Sequence, residues 1–132
     1  MIFVDTNVLM YAVGKEHSLK AQASEFFRAS VLNRDQLCTS AEVLQELLHI
    51  YLADNRLPTF EAAVRLVSDL GIEVWSLEDE DVYLAHQMHE RFPMLQARDL
   101  CHLASCQRRG VSDVKTFDKD LAEAVQSIGW QA

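Results

Sequence analysis

The sequence of 132 residues is 49% hydrophobic and 24% charged, a composition that is ordinary for a folded globular protein and excludes a disordered chain. Its length suits a single domain, residues 1–132, with a sizeable core. The longest fully apolar stretch, residues 8–13, is too short to span a bilayer and no signal peptide is recognisable, so we expect a cytoplasmic protein without membrane association.

The first dozen residues combine a short apolar run with a polar cluster. The run over residues 1–4 does not alternate with polar residues, which is typical of a buried parallel strand. Asp5 follows at the carboxyl end of this strand, where open α/β sheets bind their ligands. Thr6 and Asn7 favour a turn after it, and a role for Asp5 or Asn7 as a simple cap of the next element stays open.

Helix and strand patterns then alternate along the chain. A helix capped by Ser18 is predicted to run to about residue 31, and residues 37–39 predict a second strand. Ser40 caps the next helix, whose apolar face is broad. Glu46 lies at the border of that face, because apolar residues stand three and four positions away from it. A carboxylate there needs a partner or a metal ion.

The middle of the chain carries no recognisable chemical motif. Pro58 opens a helix that ends at Gly71, and residues 72–77 predict a third strand. The helix that follows begins with four acidic residues, 78–81, which complement the helix dipole. We expect this acidic run to lie on a solvated face.

Carboxylates recur at the ends of the last elements. Asp99 lies in the first turn of a helix predicted over residues 98–109, and a strand over residues 114–117 runs into Asp118. A short helix follows, and residues 128–130 could add a fifth strand. Strands that alternate with helices predict a parallel sheet covered on both faces.

Four carboxylates therefore stand out: Asp5, Glu46, Asp99 and Asp118. If they meet at one sheet edge, they cannot all ionise in a low-dielectric pocket without cations. Oxygen-only ligand sets of this kind suit Mg²⁺ or Mn²⁺, and one or two such ions would support phosphodiester hydrolysis. The ions would also explain how a protein with a net charge of −8 could accept RNA.

A metal-binding helical bundle is the main alternative that spacing alone suggests. Glu46 and Asp99 are each followed three residues later by a histidine, which is the carboxylate–histidine spacing of di-iron bundles. The strand patterns have no place in such a bundle. His49 and His102 are more simply histidines at the edge of the core or behind the ligands.

Four segments resemble the motifs of PIN-domain ribonucleases and follow that family's order. They are residues 3–12 (FVDTNVLMYA), the helix after Ser40 with its Glu46, residues 97–110 (ARDLCHLASCQRRG) and residues 116–121 (TFDKDL). The chain is most similar to the toxins of VapBC-type toxin–antitoxin pairs. The resemblance implies a three-layer α/β/α sandwich around a mostly parallel sheet of four to five strands. It also implies a Mg²⁺- or Mn²⁺-dependent endoribonuclease.

The resemblance also assigns roles to individual residues. The catalytic, metal-binding acids would be Asp5, Glu46, Asp99 and Asp118. The supporting polar residues would be Thr6, Asn7 and Thr116, with Asp120 as an auxiliary acid. The implied partners are an RNA substrate, a cognate antitoxin protein and a second copy of the chain in a homodimer.

Other features of the sequence bear on substrate and mechanism. Candidates for RNA backbone contacts are Arg98, Arg108, Arg109 and Lys115, with ordinary surface charge as the alternative. A phosphatase that forms a phospho-aspartate would need an acid where Asn7 stands. A catalytically inactive RNA- or protein-binding module would be expected to have lost at least one of the four acids. The three cysteines, without a CxxC pair, are expected to be reduced core residues.

Overall fold

A parallel four-stranded sheet forms the middle layer of the computed structural model, which describes residues 1–130. The strands are β1 (Ile2–Val4), β2 (Leu37–Ser40), β3 (Glu73–Trp75) and β4 (Asp113–Lys115). The helices are α1 (Thr6–Val13), α2 (Ser18–Asn33), α3 (Ala41–Ala53), α4 (Leu57–Asp69), α5 (Asp79–Met88), α6 (Ala97–Arg109) and α7 (Lys119–Ser127). The predicted α/β/α layering is confirmed.

The strand order places β1 in the middle of the sheet. The order is β3-β2-β1-β4 and every pair is parallel. The chain therefore builds outward from β1 through β2 to β3, and then returns to place β4 on the other side of β1. This change of direction is a topological switch point, and it opens a crevice beyond the carboxyl ends of β1 and β4. The crevice is where Asp5 and Asp118 emerge.

Two groups of buried side chains hold the helices to the sheet. The larger core joins the strands to α1–α4, with Phe3, Val8 and Leu47 fully buried. The smaller core lies among α5, α6 and α7 and includes Leu103 and Leu121. Each apolar run that was predicted as a strand or as a helix face supplies residues to one of these cores, which is why the elements form.

Three local predictions differ from the structure. The polar residues after β1 open helix α1 rather than a turn, because Asp5 caps it and Val8 and Leu9 bury their side chains in the larger core. The helix predicted to be capped by Ser18 is capped instead by the ring of His17. Residues 128–130 form no strand, since the Trp130 indole donates to the Val125 carbonyl and keeps the segment beside α7.

The acidic run at the start of α5 does not lie entirely on a solvated face, so this prediction is wrong for one of its residues. Asp81 is 0% exposed, and its Oδ1 accepts hydrogen bonds from Arg108 at 2.5 Å and from Arg109 at 3.2 Å. Its Oδ2 accepts the backbone N–H of Glu78 at 2.9 Å. Burial on its own raises the pKa of Asp81, but these hydrogen bonds outweigh it and lower the pKa. Asp81 is thus an ionised anchor between α5 and α6.

The fold also bears on the cysteines and on the helical-bundle alternative. Cys38, Cys101 and Cys106 are buried and free, as predicted. The parallel sheet rules out the di-iron helical bundle, and His49 lies exposed on α3. Within residues 1–130, no helix is long and apolar enough to cross a membrane.

Replacing Asp81 by Asn should reduce the free energy of unfolding by about 3 kcal/mol, because the fully buried side chain loses the negative charge that holds Arg108 and Arg109. The control is Glu80→Gln in the same turn. Glu80 is largely exposed and lies 4.0 Å from Arg108, so its loss should change the stability by less than about 0.5 kcal/mol. Urea denaturation of both variants checks this. Equal effects of the two substitutions would contradict the anchoring role.

Candidate active site

A polar pocket of about 290 Å³ lies at the carboxyl edge of the sheet, beside the switch point. Its lining residues are Asp5, Asn7, Met10, Glu46, Met94, Gln96, Arg98, Asp99, Asp118 and Asp120. All four acids that the sequence singled out are among them. They come from the residue after β1, from α3, from α6 and from the turn after β4, so the fold brings together residues up to 113 positions apart in the sequence.

Asp5 is the deepest of the four acids and is held at both of its oxygens. Oδ1 accepts the backbone N–H of Thr6 at 2.8 Å, which caps α1. Oδ2 accepts the hydroxyl of Thr116 at 2.7 Å. Burial raises the pKa of Asp5, while these two hydrogen bonds act in the opposite direction. The carboxylate is therefore fixed in orientation and costly to ionise.

The turn after β4 is locked to the start of α1. The Asn7 side-chain oxygen accepts the backbone N–H of Phe117 at 3.1 Å, and its amide nitrogen lies 3.4 Å from the Thr116 hydroxyl. Thr116 in turn accepts the backbone N–H of Asp118 at 3.0 Å. Asp118 caps α7 through Oδ1. Asn7 therefore stabilises the turn after β4, and it occupies the position at which a phosphatase that forms a phospho-aspartate would need a second acid.

Glu46 reaches the pocket from α3 and is half-buried, as its position on the border of the helix predicted. One carboxylate oxygen accepts the Thr6 hydroxyl at 2.7 Å. The other pairs with the Arg98 guanidinium at 2.6 Å. Among the described residues that line the pocket, Arg98 is the one cation, so it partly neutralises the cluster.

Asp99 shows how strongly the acids repel one another. Burial first, and then the nearby charges of Asp5, Asp118 and Glu46, together raise its pKa to about 7. Arg98 opposes the shift without cancelling it. A single arginine is therefore too little counter-charge for four carboxylates in one pocket.

The chemistry of the donors fits a divalent cation. Oxygen atoms of Asp5 and Asp99, together with a ring nitrogen of His102, all lie within 4.8 Å of one another. Carboxylate oxygens are the preferred ligands of Mg²⁺ and Mn²⁺. Bound cations would also relieve the repulsion that raises the pKa of Asp99. Of the four acids predicted as ligands, Asp5 and Asp99 belong to this close cluster, and Glu46 and Asp118 line the same pocket.

The predicted RNA-contacting cations are only partly brought to the pocket. Arg98 lines it, but Arg108 and Arg109 lie ten and eleven residues further along α6, about 15 Å down the helix axis. They are paired with Asp81 and Glu78 instead. Lys115 lies over the rings of Phe26 and Phe117, at 5.6 and 5.2 Å. Asp120 is on the exposed side of the lining.

Four residues near the acids had no place in the sequence-based site. Met10, Met94 and Gln96 line the pocket. Met10 lies within the segment of residues 3–12, but no sequence signal marks these three uncharged side chains as site residues. His102 is 2% exposed and its Nε2 lies 3.8 Å from Asp5 Oδ1. Its position three residues after Asp99 could have indicated a place beside the acids, although the sequence alone predicted a histidine at the edge of the core or behind the ligands. Burial lowers the pKa of His102 to about 4, so its ring is neutral at pH 7.

Comparisons with known proteins agree with this geometry. A family model described as the PIN domain matches residues 2–126. Ribonuclease VapC23 of Mycobacterium tuberculosis is 53% identical over 127 residues, which are 96% of this chain and 100% of that protein. Ribonuclease VapC13 of the same organism is 34% identical over 119 residues, covering 90% of this chain and 91% of its own.

Two solved structures share the fold at low sequence identity. VapC20 of Mycobacterium tuberculosis, described as a Sarcin-Ricin loop cleaving toxin, gives a TM-score of 0.80 at 17% identity, over 94% of this chain and 95% of that one. VapBC2 of Rickettsia felis, bound to a DNA fragment from its promoter, gives 0.69 at 15% identity, over 93% and 92%. The two structures agree with this chain in fold, and the family match and the 53% identical relative show the family. The chain belongs to the PIN-domain family, among the VapC ribonucleases.

Proposed function

We propose that this protein is a metal-dependent endoribonuclease that acts as the toxin of a toxin–antitoxin pair. The observation that carries the proposal is the convergence of Asp5, Glu46, Asp99 and Asp118 in one pocket. Four acids beside a single arginine form a poor RNA site on their own, because phosphates and carboxylates repel. Bound cations would neutralise the carboxylates and allow a phosphate to approach.

The four acids are the residues that would hold one or two Mg²⁺ or Mn²⁺ ions. When bound, such an ion polarises the scissile phosphate, activates water and stabilises the leaving oxygen. Thr116 and the Thr6 backbone N–H fix the carboxylate of Asp5, and the Thr6 hydroxyl fixes that of Glu46. Ligands that are already oriented need not be ordered when a cation arrives, which favours a tight and well-shaped site.

The proposed reaction is hydrolysis of an RNA phosphodiester. A water oxygen attacks phosphorus in line, the bond from phosphorus to the 3′ oxygen breaks, and that oxygen leaves as a 3′-hydroxyl opposite a 5′-phosphate. Arg98 pairs with Glu46 but stays half-exposed at the pocket, which supports its assignment as the cation that holds a phosphate oxygen. Arg108 and Arg109 are occupied by Asp81 and Glu78, so we assign them to the fold rather than to RNA.

The substrate and partners rest on the relatives. The names of VapC23 and VapC13 describe ribonucleases, and one structural neighbour carries the VapBC2 name of a toxin with its antitoxin. By this likeness we propose an RNA substrate, a cognate antitoxin protein that silences the pocket, and a homodimer. No feature of the site favours a binding module without catalysis.

Purified protein freed of antitoxin should cut RNA in Mn²⁺ or Mg²⁺ and stop in EDTA. Asp99→Asn should lower the rate by about a hundredfold or more, since it removes a charged ligand and keeps the side-chain volume. The measurement is the appearance of defined fragments from total RNA, with their ends sequenced. Equal cleavage by both proteins would point to a contaminating nuclease and would contradict the assignment.

Asp5→Asn should weaken Mn²⁺ binding by about a hundredfold, because Asp5 is the deepest acid and its orientation is fixed at both oxygens. Isothermal titration calorimetry measures the affinity and the number of ions together. Asp113→Asn, at the opposite end of β4, serves as the matched control and should leave the affinity unchanged. Unaltered Mn²⁺ binding in Asp5→Asn would remove Asp5 from the ligand set.

Metal-free protein should become less stable as the pH rises from about 4 to about 7. The pKa of Asp99 is about 7 in the folded protein, against about 3.9 in an unfolded chain. Over that window the folded state holds a proton that the unfolded state has released, so the stabilising contribution is complete below about pH 4 and lost as the pH passes through the folded value.

Urea denaturation in EDTA at about pH 5 and about pH 8, for wild type and Asp99→Asn, measures this contribution. The substitution should flatten the pH dependence, because the amide carries no titrating proton. Parallel pH profiles of the two proteins would show that Asp99 does not experience the repulsion of the other acids.

A further inference from the structure

His102 is a buried polar side chain without a partner. Both of its ring nitrogens are shielded from solvent and make no hydrogen bond, and among the buried side-chain nitrogen and oxygen atoms of residues 1–130 they are the unsatisfied ones. Leaving such a group unpaired costs about 1–3 kcal/mol of stability. An unpaired group of this kind in an otherwise well-bonded core calls for a function.

The ring is held in one place rather than loosely accommodated. It packs against Phe3, with ring centroids 5.3 Å apart, on a helix whose surrounding residues Cys101, Leu103 and Cys106 are buried. His102 follows Asp99 by three positions, so the two side chains share one face of α6. That face is turned toward Asp5, whose Oδ1 lies 3.8 Å from His102 Nε2.

A distance of 3.8 Å is too long for a hydrogen bond between Nε2 and Asp5 Oδ1. It does suit two donors that share one ion. Donors at about 2.1 Å from a cation lie about 3.0 Å apart at a right angle and about 4.2 Å apart when opposite. The separation falls between these limits, and the Asp99 carboxylate completes a cluster of donors within 4.8 Å.

We infer that His102 Nε2 is a direct ligand of the divalent cation held by Asp5 and Asp99, which makes the site a mixed nitrogen–oxygen site. The inference rests on the metal site of the proposed function and refines it. A neutral imidazole contributes little to binding Mg²⁺, which selects oxygen donors, but it strengthens the binding of first-row transition ions. The site therefore favours Co²⁺ over Mg²⁺ more strongly than carboxylates alone would.

Calorimetry with Co²⁺ and with Mg²⁺ tests the selectivity. His102→Phe keeps a ring against Phe3 and removes the nitrogen, so Co²⁺ affinity should fall at least about tenfold, while Mg²⁺ affinity should change less than about threefold. The matched control is His49→Phe. His49 follows Glu46 with the same three-residue spacing, but it is exposed on α3, and its loss should alter neither affinity.

A spectroscopic readout on the unaltered protein keeps the test independent of how the variant folds. Electron spin echo spectroscopy of the Mn²⁺-loaded wild type should show the ¹⁴N signal of a directly coordinated imidazole. ¹⁵N-labelling of the histidines should change that signal, and the signal should persist in His49→Phe. Far-ultraviolet circular dichroism of each variant reports whether its fold is intact.

The possible results separate the inference from the proposed function. A ¹⁴N signal together with a selective loss of Co²⁺ affinity supports the ligand. Mn²⁺ that binds without a ¹⁴N signal overturns it, as do equal losses of Co²⁺ and Mg²⁺ affinity, and in both cases the carboxylate site stands. Failure of the wild type to bind Mn²⁺, Co²⁺ or Mg²⁺ would overturn the metal site and the inference together.

Discussion

The hydrogen bond from the Thr116 hydroxyl to Asp5 joins the two strands at the switch point of the sheet, and the site depends on it. It lies just beyond the last rung between β1 and β4, where the Asp5 backbone N–H still donates to Lys115. Asp5 also caps α1, so one carboxylate is bound at once to a strand end and to a helix start. Asp5 therefore serves both the fold and the candidate site.

The same arrangement lowers the stability of the metal-free protein. Burial and neighbouring charges raise the pKa of both Asp5 and Asp99, which means that ionising them opposes folding. The hydrogen bond from the Thr116 hydroxyl to Asp5 and the positive charge of Arg98 moderate this cost without removing it. A divalent ion that binds the folded state alone would offset the rest by mass action. The excess of carboxylates in the pocket therefore both lowers the stability of the metal-free protein and favours the binding of a cation.

Three of the four acids could be located from the sequence because they stand at the ends of predicted elements. Asp5 and Asp118 follow predicted strands and Asp99 opens a predicted helix, whereas Glu46 was located from its place at the border of an apolar helix face. Burial of individual charges was not predictable in this way. Asp81 has the local sequence of a solvated helix start, yet it is buried because two arginines from α6 meet it in space. Residues 128–130 resemble a strand, but a side-chain hydrogen bond holds them beside α7.

Arg108 and Arg109 show how a charge can serve the site from a distance. Arg109 stacks over the Trp75 ring at 4.7 Å, and both arginines pair with Asp81. They fasten the end of α6 to β3 and to α5, which sets how the helix crosses the sheet. Asp99 and His102 stand on that same rigid helix, so their approach to Asp5 follows from its orientation. Arg108 and Arg109, which the sequence suggested as RNA contacts, therefore hold in place the helix that carries two of the proposed metal ligands.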